Sequence, residues 1–162
     1  QFIESITDDA ERSMVDLEKI AVRCFFHRNT NGQTSIKKVL PAVLGESKLL
    51  KDEYSKPIGE ISTSTNFPDS FIWYKESDLG VLDPYTLLRL HTMELFRDNN
   101  SIASTEDAMI AEGGSAAMAY ARLQSNKLSV TERKDIENAL LRYCELDTLA
   151  MAIILKGWIS WT

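Results

Sequence analysis

Cysteine and histidine are scarce in this sequence. Its only two cysteines, Cys24 and Cys144, lie far apart, and neither belongs to a Cys-x-x-Cys pair. This pattern argues against a disulfide framework and a cysteine-rich zinc site, and it favours a reducing cytoplasm. His91 has no acidic or cysteine partner at ligand spacing, so we expect no zinc there. We interpret His27 as a loop residue that makes hydrogen bonds.

Long apolar runs and an excess of positive charge are also missing. The longest apolar stretches, "LAMAIIL" and "AAMAYA", are too short to cross a bilayer. No basic-then-apolar signal sequence opens the chain. Lys and Arg number 18 against 24 Asp and Glu, for a net charge of −6. This composition argues against a protein that holds nucleic acid by a broad basic surface alone. It is compatible with a nuclease whose bound cations offset its carboxylates.

Most of the sequence has apolar residues at the spacing that is typical of α-helices. The 162 residues suit one domain with a core of its own, and we expect a mostly α fold. The longest signal runs from about Ser129 to Trp158, where Ser129 and Glu132 fit a capping box. Asp83 as N-cap and Pro84 at the first position predict the start of another helix.

Other segments have weaker patterns. Residues 1–26 predict a helix with a break near "TDD". Thr34 or Ser35 is expected to cap a short helix that Pro41 kinks or ends. Ser115 is the predicted cap of a helix that follows two glycines. Residues 60–75, rich in Ser, Thr and aromatics, predict a short strand or hairpin.

An aspartate lies within the apolar face of the last predicted helix. Apolar positions follow one another at spacings of three and four with Asp147 in their middle, in the series Ile136, Leu140, Tyr143, Asp147, Met151, Ile154 and Trp158. An ionised carboxylate in such a place needs a partner, a cation or a proton. Three interpretations stay open: Asp147 binds a metal ion, caps a new helix after a break at "CEL", or pairs with a core arginine or lysine.

The segment "LLRYCELDTLAMAIIL" resembles the third motif of the DEDD 3′–5′ exonucleases, in the tyrosine subtype that includes ribonuclease D. In those enzymes a helix carries Tyr-x-x-x-Asp and continues with apolar residues. More closely, the chain resembles a bacterial family known as a domain of unknown function, which is grouped with these ribonuclease H-like exonucleases. Arg28 and Gln33 stand where that family tends to have Pro and Ser. The other segments that resemble it, in the same order, are "RSMVDLEKI", "HRNTNGQTSIKKVLPAVL" and "EGGSAAMAYARLQ".

The resemblance implies a fold and a place within it. The chain corresponds to the helical C-terminal half of a ribonuclease H-like α/β exonuclease fold, so that residues 1–162 form one domain that is part of a larger one. Residues 45–103 correspond to an insertion found in a longer subgroup. The family's Asp-x-Glu strand and second acidic motif would lie upstream of Gln1. The Asp-x-Glu triplets present in the chain follow no apolar strand.

The resemblance also implies a chemistry for two residues. Asp147 would ligate Mg²⁺ or Mn²⁺, and Tyr143 would orient the attacking water. This class of enzyme uses two cations about 3.5–4 Å apart, which a lone Asp147 cannot hold. The chain alone is therefore expected to be inactive, while the intact domain would hydrolyse nucleic-acid phosphodiesters.

Three polar residues near a predicted helix start are candidate contacts for substrate phosphates. Ser35, Lys37 and Lys38 lie where backbone N–H groups and positive charge favour an anion. The alternative is a capped surface helix with solvated lysines.

Two functions are thus predicted from the sequence. The first is a metal-dependent 3′–5′ exonuclease-like domain. The second is a non-catalytic interaction or nucleic-acid-binding module in which Asp147 is structural. Apolar surface that upstream strands would cover should also be open or shielded by another chain, so we expect the chain to self-associate.

Overall fold

The computed structural model describes residues 2–7, 12–78, 80–98, 113–125 and 127–162. Within those ranges the chain is mostly helical, as predicted, and its strands form a single two-stranded hairpin. The elements in chain order are α1 Phe2–Ile6, α2 Leu17–Cys24, a 3₁₀ turn Arg28–Thr30, α3 Ile36–Glu46, α4 Lys48–Tyr54, α5 Ile58–Ile61, β1 Glu76–Ser77, β2 Gly80–Val81, α6 Pro84–Asp98, α7 Gly113–Leu123 and α8 Val130–Ile159.

The helix α8 is the centre of the fold. It runs without a break, and the predicted capping box is present, because Ser129 Oγ accepts the Glu132 N–H and the Glu132 carboxylate accepts the Ser129 N–H. The helices α3, α4, α6 and α7 all pack against it. The prediction of one long, central helix is confirmed.

Two hydrophobic clusters lie along α8. The larger joins α8 to α3 and to segments between residues 50 and 88, and its fully buried members include Leu40, Val43, Leu44, Leu50, Leu88 and Leu146. The smaller joins α7 to the first half of α8 through Ala119, Leu123, Ile136 and Ala139. Tyr143 packs against both clusters, so its ring lies where the two meet.

A glycine allows α3 and α8 to pack closely against each other. Gly157 is buried in α8, and a Cβ atom at this position would overlap the side chain of Val43 and lie 3.0 Å from Leu50 Cδ1. A larger residue would push the two helices apart, because neighbouring side chains are already closely packed.

Pro41 does not end its helix. The helix α3 continues to Glu46, so, of the two predicted effects of Pro41, a kink or an end, the end is wrong. Proline removes one backbone donor, but Val43 and Leu44 in the next turn are fully buried against the core. Burial of those side chains outweighs the missing hydrogen bond.

The hairpin lies later than predicted. Residues 62–75 contain no strand, and β1 and β2 follow them, with Glu76 opposite Val81. The aromatic residues that suggested a strand instead form a packed cluster, in which the rings of Phe67 and Phe71 lie 4.8 and 4.7 Å from that of Trp73. Aromatic side chains at alternate positions are equally suited to a core loop.

The other helix boundaries agree in part with those predicted from the sequence. The helices α1 and α2 are separate, and residues 12–16 between them are not helical. Asp83 caps α6, since its carboxylate accepts the Tyr85 N–H at 3.1 Å. Ser115 lies inside α7, which is already helical at Gly113, so the prediction that it is the cap is wrong. No helix in the described part of the chain is long and apolar enough to cross a membrane.

Candidate functional site

Asp147 lies within the continuous helix α8. Its side chain is half-buried, and residues on both sides of it are helical. An N-cap residue needs non-helical backbone before the first turn. The interpretation of Asp147 as the cap of a new helix is therefore wrong.

A tyrosine from α6 is the partner of Asp147. The Tyr85 hydroxyl donates to Asp147 Oδ1 at 2.6 Å, and the Tyr85 side chain is buried, with 3% of its surface exposed. Burial, together with the hydrogen bond to Asp147 and the charge of that carboxylate, raises the pKa of Tyr85. The phenol therefore keeps its proton and acts as the donor. No salt bridge from a lysine or arginine to Asp147 is found among the described residues, so the predicted pairing with a core cation is replaced by this bond.

Lysines from α3 lie on the same side of the fold. Lys37 Nζ is 5.1 Å from the centroid of the Tyr85 ring, a distance typical of a cation–π contact. Burial raises the pKa of Asp83, the residue that begins α6. The positive charges of Lys37 and Lys38 oppose part of that rise. Of the three predicted phosphate contacts, Lys37 thus lies against the ring that bonds Asp147.

Tyr143 completes this group. It is half-buried on α8, one turn before Asp147, and its ring centroid lies 6.4 Å from that of Tyr85. A Cβ atom on Gly113 would lie 3.9 Å from Tyr143 Oη, so the hydroxyl is near the start of α7. The structure therefore brings Tyr143, Asp147 and Lys37 together around one buried ring.

Ser35 lines a cavity that is separate from the Tyr85–Asp147 pair. It is the N-cap of α3, but its side chain makes no capping hydrogen bond. It lines a cavity of about 440 Å³ between α2, α3 and α8, together with Val39, Met151 and Ile154. A contact between Ser35 and substrate stays a prediction.

The donor set for a metal ion is incomplete within the described residues. They contain no group of three or more His, Cys, Asp or Glu side chains arranged to hold a cation. Asp147 has one oxygen engaged by Tyr85, which leaves Oδ2 as a hard oxygen donor of the type that Mg²⁺ and Mn²⁺ prefer.

A polar network on another face of α8 holds a loop against the helix. Glu145 accepts from Ser64 Oγ at 2.5 Å and from Asn66 Nδ2 at 2.6 Å. Arg142 Nε donates to the carbonyl oxygen of Asn66 at 2.8 Å. Residues 62–66 and the exposed Cys144 line an open groove of about 580 Å³ along this face of α8.

Sequence reasoning missed Tyr85 and Glu145. Tyr85 follows the Asp83–Pro84 helix start, so its place in the first turn of α6 was predictable. Its contact with Asp147 spans 62 positions in the chain, and no local spacing indicates such a pair. Glu145 falls on a polar face of α8, where an exposed carboxylate is the ordinary expectation.

The prediction for His27 is confirmed. His27 is a hydrogen-bonding loop residue, with Nε2 3.0 Å from Glu46 Oε1. Trp73 is a core residue, buried to 2% exposure. His91 packs beside Phe67 and Phe71, and burial lowers its pKa.

Comparisons of the chain with protein-family models, with curated proteins and with solved structures found no match. The resemblance to the ribonuclease H-like exonucleases therefore stays a prediction from sequence motifs.

Proposed function

We propose that the chain carries the tyrosine–aspartate pair of a metal-dependent 3′–5′ exonuclease domain of the ribonuclease H-like, DEDD type. The observation that carries the proposal is the environment of the Asp147 carboxylate. Its carboxylate is half-buried on the central helix, and within the described residues its hydrogen-bond donor is the neutral Tyr85 hydroxyl. A half-buried anion without a basic partner favours a cation.

The chemistry of the proposal follows from the ligands. Mg²⁺ or Mn²⁺ would bind Asp147 Oδ2 together with further carboxylates, and the sequence resemblance implies that these would lie upstream of Gln1. When bound, two such ions stabilise the attacking and leaving oxygens of a phosphodiester. Tyr143, one turn away on the same face, would orient the attacking water. We propose that the chain is inactive until those carboxylates are supplied.

Nucleic acid is the proposed partner. Lys37 and Lys38 lie on the same side as Asp83 and Tyr85, where they would attract a phosphate backbone. We retain Ser35 as a third contact at the start of α3. Both cysteines are free and exposed, which supports the proposal of a cytoplasmic protein.

The experiment compares Asp147→Asn with a matched control. Exonuclease activity with Mn²⁺ would be measured on the natural protein that contains the chain, using 3′-labelled single-stranded DNA and RNA. Asp147→Asn should abolish the activity, and Tyr143→Phe should reduce it. Glu137→Gln, an exposed carboxylate on the same helix, should leave it unchanged. Undiminished cleavage by Asp147→Asn would overturn the proposal.

The Tyr85–Asp147 hydrogen bond also favours a second candidate, a non-catalytic interaction module. The bond gives Asp147 a structural role, because a buried hydroxyl needs an acceptor. Under this alternative Asp147→Asn should have no effect on cation binding. Titration with Mn²⁺, followed by paramagnetic broadening of amide signals around residue 147, separates the two functions.

A further inference from the structure

The hydroxyl of Tyr85 has one described partner, and that partner is Asp147. The bond is short, at 2.6 Å, and it joins α6 to α8. The tyrosine ring is held independently of this bond. Its backbone follows the Asp83 cap, its side chain belongs to the larger core cluster, and Lys37 lies over its face.

A fixed donor restricts the carboxylate that it binds. Asp147 Oδ1 is held by a hydroxyl on a buried ring, so rotation about χ1 of Asp147 would break a hydrogen bond and leave that hydroxyl unpaired. The other oxygen, Oδ2, is not bound by Tyr85 and is the one that remains for another ligand. Groups that hold a metal-binding side chain in this way raise metal affinity by fixing its geometry.

We propose that Tyr85 is a positioning residue for Asp147: its hydroxyl holds Oδ1 in one orientation and presents Oδ2 to the divalent cation. This inference rests on the proposed function, since it assigns the cation to Asp147. It adds a residue from α6 that the tyrosine–aspartate motif does not contain.

Packing alone does not require a tyrosine at this position. A phenylalanine ring would fill the same space in the core and leave the same face to Lys37. Tyrosine differs from phenylalanine only by its hydroxyl group, and this hydroxyl donates to the Asp147 carboxylate. The proposal therefore predicts that Tyr85→Phe changes the behaviour of Asp147 more than it changes the fold.

Tyr85→Phe is the test, with Tyr54→Phe as the matched control. Tyr54 is also a buried tyrosine of the larger cluster, but it lies on α4 and does not bond Asp147. Two quantities would be measured by NMR on the natural protein that contains the chain. The Hα–Hβ couplings of Asp147 report whether its χ1 angle has one value, and titration with Mn²⁺ gives the dissociation constant at residue 147.

The expected result has two parts. Tyr85→Phe should average the couplings of Asp147 and raise the Mn²⁺ dissociation constant about 10- to 100-fold, while Tyr54→Phe changes neither quantity. Unchanged couplings, or an unchanged dissociation constant, in Tyr85→Phe would overturn the positioning role and leave the proposed function standing. Absence of Mn²⁺ binding at Asp147 in the unsubstituted natural protein would overturn the proposed function and this inference together.

Discussion

At the scale of single residues, the hydrogen bond between Tyr85 and Asp147 explains why a carboxylate is tolerated on an apolar face. The bond satisfies a buried hydroxyl and one oxygen of the acid. We expect Asp147→Ala to destabilise the chain by about 1–3 kcal/mol, because the Tyr85 hydroxyl is then left buried without an acceptor. Asp147→Asn keeps an acceptor and should have the smaller effect. Urea denaturation measures both, and equal losses for the two variants would contradict this explanation.

The contact between His27 and Glu46 makes a prediction about pH. His27 Nδ1 accepts the Asn29 N–H, so Nε2 carries the proton donated to Glu46. The hydrogen bond from His27 lowers the pKa of Glu46 from its ordinary value of 4.5. Because the folded-state pKa is lower than the unfolded one, the stabilisation is complete above about pH 4.5 and is lost as the pH falls through the folded-state pKa.

The substitution His27→Ala tests this contact. It should raise the pKa of Glu46 toward 4.5, as measured by NMR titration of the carboxyl carbon. Glu132 is an internal reference, since its pKa is lowered mainly by the hydrogen bonds to Ser129, and it should not change. A Glu46 pKa that stays low in the variant would mean that other charges are responsible.

The position of Asp147 was predictable from the sequence, whereas the contact that it makes was not. Its place on a helical stripe follows from the period of the neighbouring apolar residues, which is local information. Its partner comes from a helix 62 positions earlier, and only the packing of α6 against α8 brings the two together. The same reason explains why Lys37 was recognised as a polar candidate but not as a neighbour of Tyr85.

At the scale of elements, two serines begin helices in different ways. Ser129 makes a complete capping box, whereas Ser35 makes no side-chain capping bond. Ser129→Ala should therefore destabilise the chain by about 0.5–2 kcal/mol, and Ser35→Ala should have a clearly smaller effect. Thermal unfolding of the two variants measures the difference. Equal losses would mean that the capping bonds do not determine the stability of these helix starts.

The starts of α6 and α8 were predicted correctly, whereas the hairpin was misplaced. The capping box of α8 and the Asp83 cap of α6 depend on residues within one turn, so their sequence signals are complete. Pro41 disfavours helix locally, but the burial of Val43 and Leu44 overrides it. The hairpin was misplaced because its strands have only two residues each, which is too short for an alternating pattern to appear.

At the scale of the whole molecule, the approach of α3 to α8 sets how closely the core packs. Gly157→Ala places a methyl group against Val43, and we expect a loss of about 1–3 kcal/mol from overpacking. Gly114→Ala is the control, because a Cβ atom at this helical position meets nothing within 4 Å. That variant should be stabilised by about 0.5–1 kcal/mol. Urea denaturation of the two variants should therefore show shifts of opposite sign, and a neutral Gly157→Ala would contradict the close approach.

The outer face of α8 provides the last prediction, which concerns self-association. Met151, Leu155 and Ile159 follow one another at intervals of four, and they are 45%, 45% and 63% exposed. Residues at this spacing form one stripe on a helix, and exposed apolar stripes tend to bury themselves against another surface. We expect sedimentation velocity to show association that increases with concentration, and Leu155→Lys should weaken it.

The choice of lysine separates apolar burial from charge. The chain has a net charge of −6, so an added lysine reduces the repulsion between copies and by itself would favour association. Weaker association in Leu155→Lys would therefore come from the lost apolar contact. Val130→Lys is the control, because Val130 is 86% exposed at the other end of α8 and outside the stripe. A chain that sediments as a monomer at all concentrations, or equal effects of the two lysines, would show that this stripe does not mediate association.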